Sequence, residues 1–140
     1  MASTSEVDAA PHVEPAGSCR PNISPAGRRR RSRVGYLAVA ISLMLLSVLV
    51  VLQTPWYLRA LVGLPAALAA VAFLQVRRNT CVARAAEGTF ERDDFSKTAA
   101  PADEVAASRR VAAGILRDAA LIGLVGAALA AASVLVAAGA

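Results

Sequence analysis

"VGYLAVAISLMLLSVLVVL", residues 34–52, runs for nineteen residues without a charge. At about 1.5 Å per helical residue it reaches roughly 28 Å, close to the ~30 Å hydrocarbon core of a bilayer. Its apolar residues are continuous rather than striped, so no polar face is set aside for water. Two further charge-free runs follow. "ALVGLPAALAAVAFLQV" (residues 60–76) is bounded by Arg59 and Arg77, and "AALIGLVGAALAAASVLVAAGA" (residues 119–140) follows Asp118. The second run is short, but Trp56 and Tyr57 suit the interface and Arg59 can snorkel, which lengthens it. Ten of the 22 residues in the third are alanine, so its drive to insert is the weakest, and a buried soluble helix is its rival reading. The chain is 56% apolar, with mean hydropathy +0.53. The expected fold class is an all-α integral membrane protein, a helical hairpin plus a third transmembrane helix.

The connections divide the chain into four parts. Residues 1–33 form a Pro- and Ser-rich, disordered N-terminus that ends in "RRRRSR". Residues 34–76 are the hairpin, turned by the short link "QTPWYLR". Pro65 falls inside its second helix, where a kink is expected. Residues 77–118 are a charged loop with helical segments. The hairpin's second helix is expected to continue past Cys81 and stop near Gly88. A second helix is expected with Pro101 at its first position and a bend at Gly114. Residues 119–140 are the third span.

Arginine counts set the orientation. Fourteen of the fifteen basic residues fall on one side of a three-span chain, Arg59 being the exception. Arg28, Arg29, Arg30, Arg31, Arg33, Arg77 and Arg78 flank the hairpin, and the positive-inside rule makes their side cytoplasmic. The expectation is a multi-pass inner-membrane protein with the N-terminus inside and the C-terminus outside. A cleavable or twin-arginine signal fits less well, because a long leader precedes the arginines and no A-x-A site follows Leu52. The arginine run is read as an anchor to anionic lipid headgroups, not as a nucleic-acid site. Arg/Ala-rich, lysine-poor usage points to a bacterial source.

Chemistry is sparse. One histidine and two cysteines build none of the usual zinc sites, and no cofactor, metal or catalytic residue is read from the chain. No span carries an ionisable group near its centre, which argues against a transporter. The acids Glu87, Glu91, Asp93 and Asp94 match no EF-hand spacing and read as a solvated turn. Cys81 stands among Arg77, Arg78 and Arg84. Its functional reading is an accessible thiol activated by positive charge, used in redox or sulfur chemistry; its plain reading is a small helical residue.

The spans do show a packing pattern. At about 100° per residue, Gly123, Gly126, Ala127 and Ala130 share one face of the third run. Gly63, Ala66, Ala67 and Ala70 share one face of the second. Small residues let membrane helices approach closely, so these faces are expected to meet, within one chain or between two. The principal reading is therefore non-enzymatic: packing with itself or a membrane partner, and presenting a charged loop.

The segment "RRRRSRVGYL…QTPWYLRALVGLPAALAAVAFLQVRRNTCVARA" resembles the small bacterial inner-membrane hairpins attached to some rhodanese domains. Arg33, Gly35, Trp56, Gly63 and Cys81 are the matching positions. The resemblance spans residues 28–84 and implies a hairpin that dimerises by helix packing. It includes no rhodanese active-site loop, so it implies no sulfur transfer.

Overall fold

A computed structural model describes residues 22–92 and 94–138, with side chains up to residue 135. Most of the expected disordered N-terminus, including Cys19, lies outside the described residues. Of the described residues 79% are helical. Three stretches among them are long and apolar enough to cross a membrane: Pro25–Val51, Trp56–Arg77 and Ala102–Leu135.

Helix α1 (Pro25–Val51) begins where its local chemistry says it should. Ser24 is the N-cap, its hydroxyl accepts from the Gly27 N–H at 3.0 Å, and Pro25 opens the first turn. The expectation of disorder through residue 33 is therefore corrected: the whole "RRRRSR" run is helical. The cap satisfies one of the amides that helix entry strips of a partner. The helix ends at a tight reversal in which Gln53 takes φ +51. The Thr54 hydroxyl donates to the Leu49 carbonyl at 2.9 Å.

The return limb starts with the single turn α2 (Trp56–Arg59), passes through a 3₁₀ turn at Ala60–Val62, and becomes α3 (Gly63–Arg77). Proline at position 65 cannot donate to the carbonyl four residues back. The irregularity this causes is the 3₁₀ turn just before it.

Past Arg77 the chain departs from the expected continuous helix. Asn79 adopts φ +50, and a short α4 (Val82–Glu87) starts anew with Cys81 at its N-cap. Gly88 ends α4 in the left-handed region at φ +68, where glycine carries no side-chain penalty. Two short strands, β1 (Thr89–Glu91) and β2 (Lys97–Ala99), pair antiparallel with Phe90 opposite Thr98. This ribbon is an addition to the all-α expectation. Helix α5 (Ala102–Ala138) then runs unbroken through Gly114. Pro101 sits one residue before it, and its carbonyl accepts from Val105 N–H at 3.0 Å. The absent side chain of Gly114 leaves room for Arg78.

Helix α3 is the middle of the bundle. It packs along both α1 and α5, which scarcely touch each other. Pairings such as Arg28 with Asn79, and Arg59 with Ser133, make each neighbouring pair antiparallel. Leu37, Leu43, Met44, Leu64, Leu124 and Leu129 point outward, each more than half exposed. The interior is built instead of small side chains, Ala38, Ala69, Ala70, Ala72 and Ala130 among them.

Candidate functional site

The small-residue faces come together inside one chain. A side chain on Gly63 would meet the Gly123 carbonyl at 2.6 Å and the Ala127 methyl at 2.7 Å. One on Gly123 would meet the Ala67 methyl at 2.6 Å, and one on Gly126 the Ala66 methyl at 3.3 Å. Backbone contact of this kind gains dispersion along the whole crossing. Ala70 and Ala130 are buried in the same bundle. Leu121, Leu124, Val125 and Leu135 face away.

The feature that sequence spacing did not disclose is a polar cap at the end of the bundle where α1 begins and α3 stops. Asn22 is its keystone. Its side-chain oxygen accepts from Cys81 N–H at 2.5 Å, and its amide donates to the Cys81 carbonyl at 3.3 Å. Its backbone N–H donates to the Asn79 carbonyl, and its own carbonyl accepts from Glu91 N–H. One buried asparagine thus ties the start of α1 to the segment after α3 and to β1. Its side-chain oxygen and amide and its backbone N–H and carbonyl each find a partner, as buried polar groups require.

Around it lies a charge cluster. Arg31 reaches inward from α1, with Nη2 3.3 Å from Glu91 Oε2 and 2.7 Å from Cys81 Sγ, and with Nε 3.1 Å from Gln75 Oε1. Arg84 of α4 approaches Glu91 at 3.6 Å, and the Ser24 hydroxyl donates to it at 3.3 Å. The Glu91 side chain is 5% exposed. Burial pushes its carboxyl up, but Arg31, Ser24 and Arg84 outweigh this and hold it below the ordinary glutamate range. Glu91 is thus an inward ion-pair partner, not part of a solvated turn. Glu87 does remain at the surface, and Lys97 at 2.8 Å holds its carboxyl low. Asp93 lies outside the described residues.

The arginines expected to set the topology divide. Arg31 turns inward. Arg28 donates to Asn79 Oδ1 at 3.1 Å, and Arg78 pairs with Asp118 at 2.5 Å across to α5. Arg29 and Arg30 are exposed, and Arg33 and Arg77 lie at the same end.

Cys81 is 4% exposed, because its sulfur lies under Arg31. In the folded chain it is not the open thiol that the flanking arginines suggested. Its alkylation by a soluble maleimide is expected to be at least tenfold slower, roughly, than in the denatured chain, because reaction requires local opening of the cap. Time-resolved mass spectrometry checks this.

At the opposite end, Arg59 is buried. Its Nε donates to the Thr54 carbonyl and its Nη1 to Ser133 Oγ, both at 3.0 Å. A snorkelling arginine was expected there, and its inward course follows from the α3–α5 crossing, which brings Ser133 alongside. Ser133→Ala is expected to lower stability by about 1–2 kcal/mol, the loss of a hydrogen bond to a charged group, measured by thermal melting in detergent.

Among the described residues no group of histidines, cysteines and acids could hold a metal ion. No protein-family model matches this chain, and no curated protein or solved structure matches it either.

Proposed function

We propose that this chain is a non-enzymatic three-span protein of a bacterial inner membrane, which presents its polar cap to the cytoplasm. The N-terminus would be cytoplasmic and the C-terminus outside. The observation that carries this reading is the coincidence of two patterns. Large apolar side chains form an outward belt around a bundle of small residues, while Arg28–Arg33, Arg77, Arg78, Arg84, Arg109 and Arg110 gather at one end. An outward apolar belt needs a nonaqueous surrounding, and a one-sided basic collar orients it. The glycine and alanine faces would serve packing within the chain. What is left for a second copy or another membrane protein is the leucine-bearing outer surface of α1, α3 and α5 and the exposed rim of the cap.

Alkaline carbonate extraction of membranes tests the first premise. The chain is expected to stay in the pellet with other integral proteins. Release into the supernatant would defeat the reading.

The second reading, thiol chemistry at Cys81, is favoured by the Arg31 guanidinium on its sulfur. It requires the cap to open before a partner could reach the thiol. Cys81→Ser separates the two readings: membrane residence and folding would survive, whereas a thiol function would vanish.

A further inference from the structure

Between α1, α3 and the cap runs a cleft of about 480 Å³. Its two ends differ in chemistry. The inner end is apolar, walled by Val34, Leu68, Val71 and Ala72. Leu68 and Val34 are also open to the outside, at 53% and 41% exposure, so this end continues into the outward apolar belt. The outer end is charged. Arg30, Arg31, Arg84 and Lys97 line it together with Glu87 and Glu91, four cations against two carboxylates. The carboxylates are engaged by Arg31, Arg84 and Lys97. Arg30 has no ion-pair partner among the described residues and is exposed at the rim. Gln75 adds an amide at the level where the two halves meet.

We infer that this cleft is a binding site for one anionic phospholipid, its phosphodiester held at the Arg30 rim and an acyl chain laid against Leu68 and Val71. The inference rests on the membrane reading above and adds to it a single, stoichiometric site in place of general attraction to a charged surface. The chemistry is complementary at both ends. A phosphodiester brings the negative charge that the net-positive lining lacks, and arginine binds phosphate oxygens with charge-assisted hydrogen bonds. A basic recess between spanning helices on the basic side of a bundle suits a lipid headgroup. The apolar wall opens sideways, where a chain can enter from the bilayer without leaving hydrocarbon. A soluble anion would use the outer end alone and leave the Val34–Leu68 wall bare.

The test uses the full chain purified in mild detergent and native mass spectrometry with added phosphatidylglycerol or phosphatidylcholine. The expected result is one retained phosphatidylglycerol per chain, preferred over phosphatidylcholine. Arg30→Glu should weaken retention roughly tenfold or more, since it removes one attractive charge and adds a repulsive one. Leu68→Trp, which fills the apolar wall, should weaken it as well. Arg110→Glu, at an arginine that is also exposed but lies outside the cleft, should leave it unchanged. Equal loss in Arg30→Glu and Arg110→Glu would overturn the site in favour of diffuse attraction. Displacement of the lipid by millimolar inorganic phosphate, with Leu68→Trp silent, would overturn the lipid assignment. The circular dichroism and melting of Arg30→Glu and Leu68→Trp should match the parent's, because neither residue supports the Asn22–Glu91 network. Carbonate extraction, run beside it, separates failure of the site from failure of the membrane reading.

Discussion

Gly123→Leu is expected to be the most damaging single substitution in the bundle. The new side chain has no space: Ala67 stands 2.6 Å from the position its first carbon would take, and the Gly63 carbonyl 3.0 Å. Neither obstacle is the free end of a flexible side chain, so α3 and α5 must move apart. Overpacking of this kind costs about 1–3 kcal/mol, and the backbone obstacle places it at the upper end. Separation also withdraws Ser133 from Arg59, leaving a buried guanidinium short of an acceptor. Melting in detergent, followed by circular dichroism, should fall far below the parent. Leu124→Ala, on the outward face of the same helix, should change it little. Equal melting of the Gly123→Leu variant and the parent would show that the two helices do not meet as described.

Glu91→Gln is expected to unlock the cap while leaving the bundle intact. It removes the charge that Arg31 and Arg84 share, and a buried pair broken on one side costs about 3–5 kcal/mol. With both arginines still 16–18% exposed, about 2–3 kcal/mol is the expected loss. Arg31 would then no longer be held over Cys81, and maleimide should modify Cys81 several-fold faster. The same carboxylate predicts a pH dependence. Its folded pKa lies below its ordinary value, so its stabilisation is complete above the unfolded value of about 4.3. That stabilisation is lost as pH falls through the lower folded value. The stability difference between parent and Glu91→Gln should therefore be constant near neutrality and shrink below about pH 4. A difference that grows on acidification would contradict the assignment.

The bundle was readable because its physics is local and repetitive. A charge-free run announces a long apolar helix, and the i, i+3, i+4 spacing of glycine and alanine marks a face that helices can share. The positions of Gly63 and Gly123 follow from that spacing. The cap was not readable, because it depends on long-range pairings with no periodic trace. Asn22 meets Cys81 across 59 residues and Arg31 meets Glu91 across 60. The sequence shows Arg31 as one of a run of like residues, and nothing local says that this one turns inward. The run's helical phase offers a trace: Ser24, Gly27 and Arg31 lie on one side of the first two turns, and Gly27 is the residue that lets Glu91 approach. The setting of Cys81 was hidden for a related reason. Arginines adjacent in sequence imply an open, charged setting, whereas the helix break at Asn79 places the cysteine under the cap, 4% exposed.

A bundle that spans the membrane puts its two ends on opposite sides, and this sidedness can be measured. In a Cys19→Ser background, one new cysteine is placed by Gln53→Cys in the α1–α2 turn and another, separately, by Ser96→Cys in the ribbon. Both positions are exposed in the structure. A membrane-impermeant maleimide is applied to intact and to opened cells. Labelling is expected at position 53 in intact cells, and at position 96 only after opening. Labelling of both positions in intact cells, or the reverse pattern, would contradict this expectation.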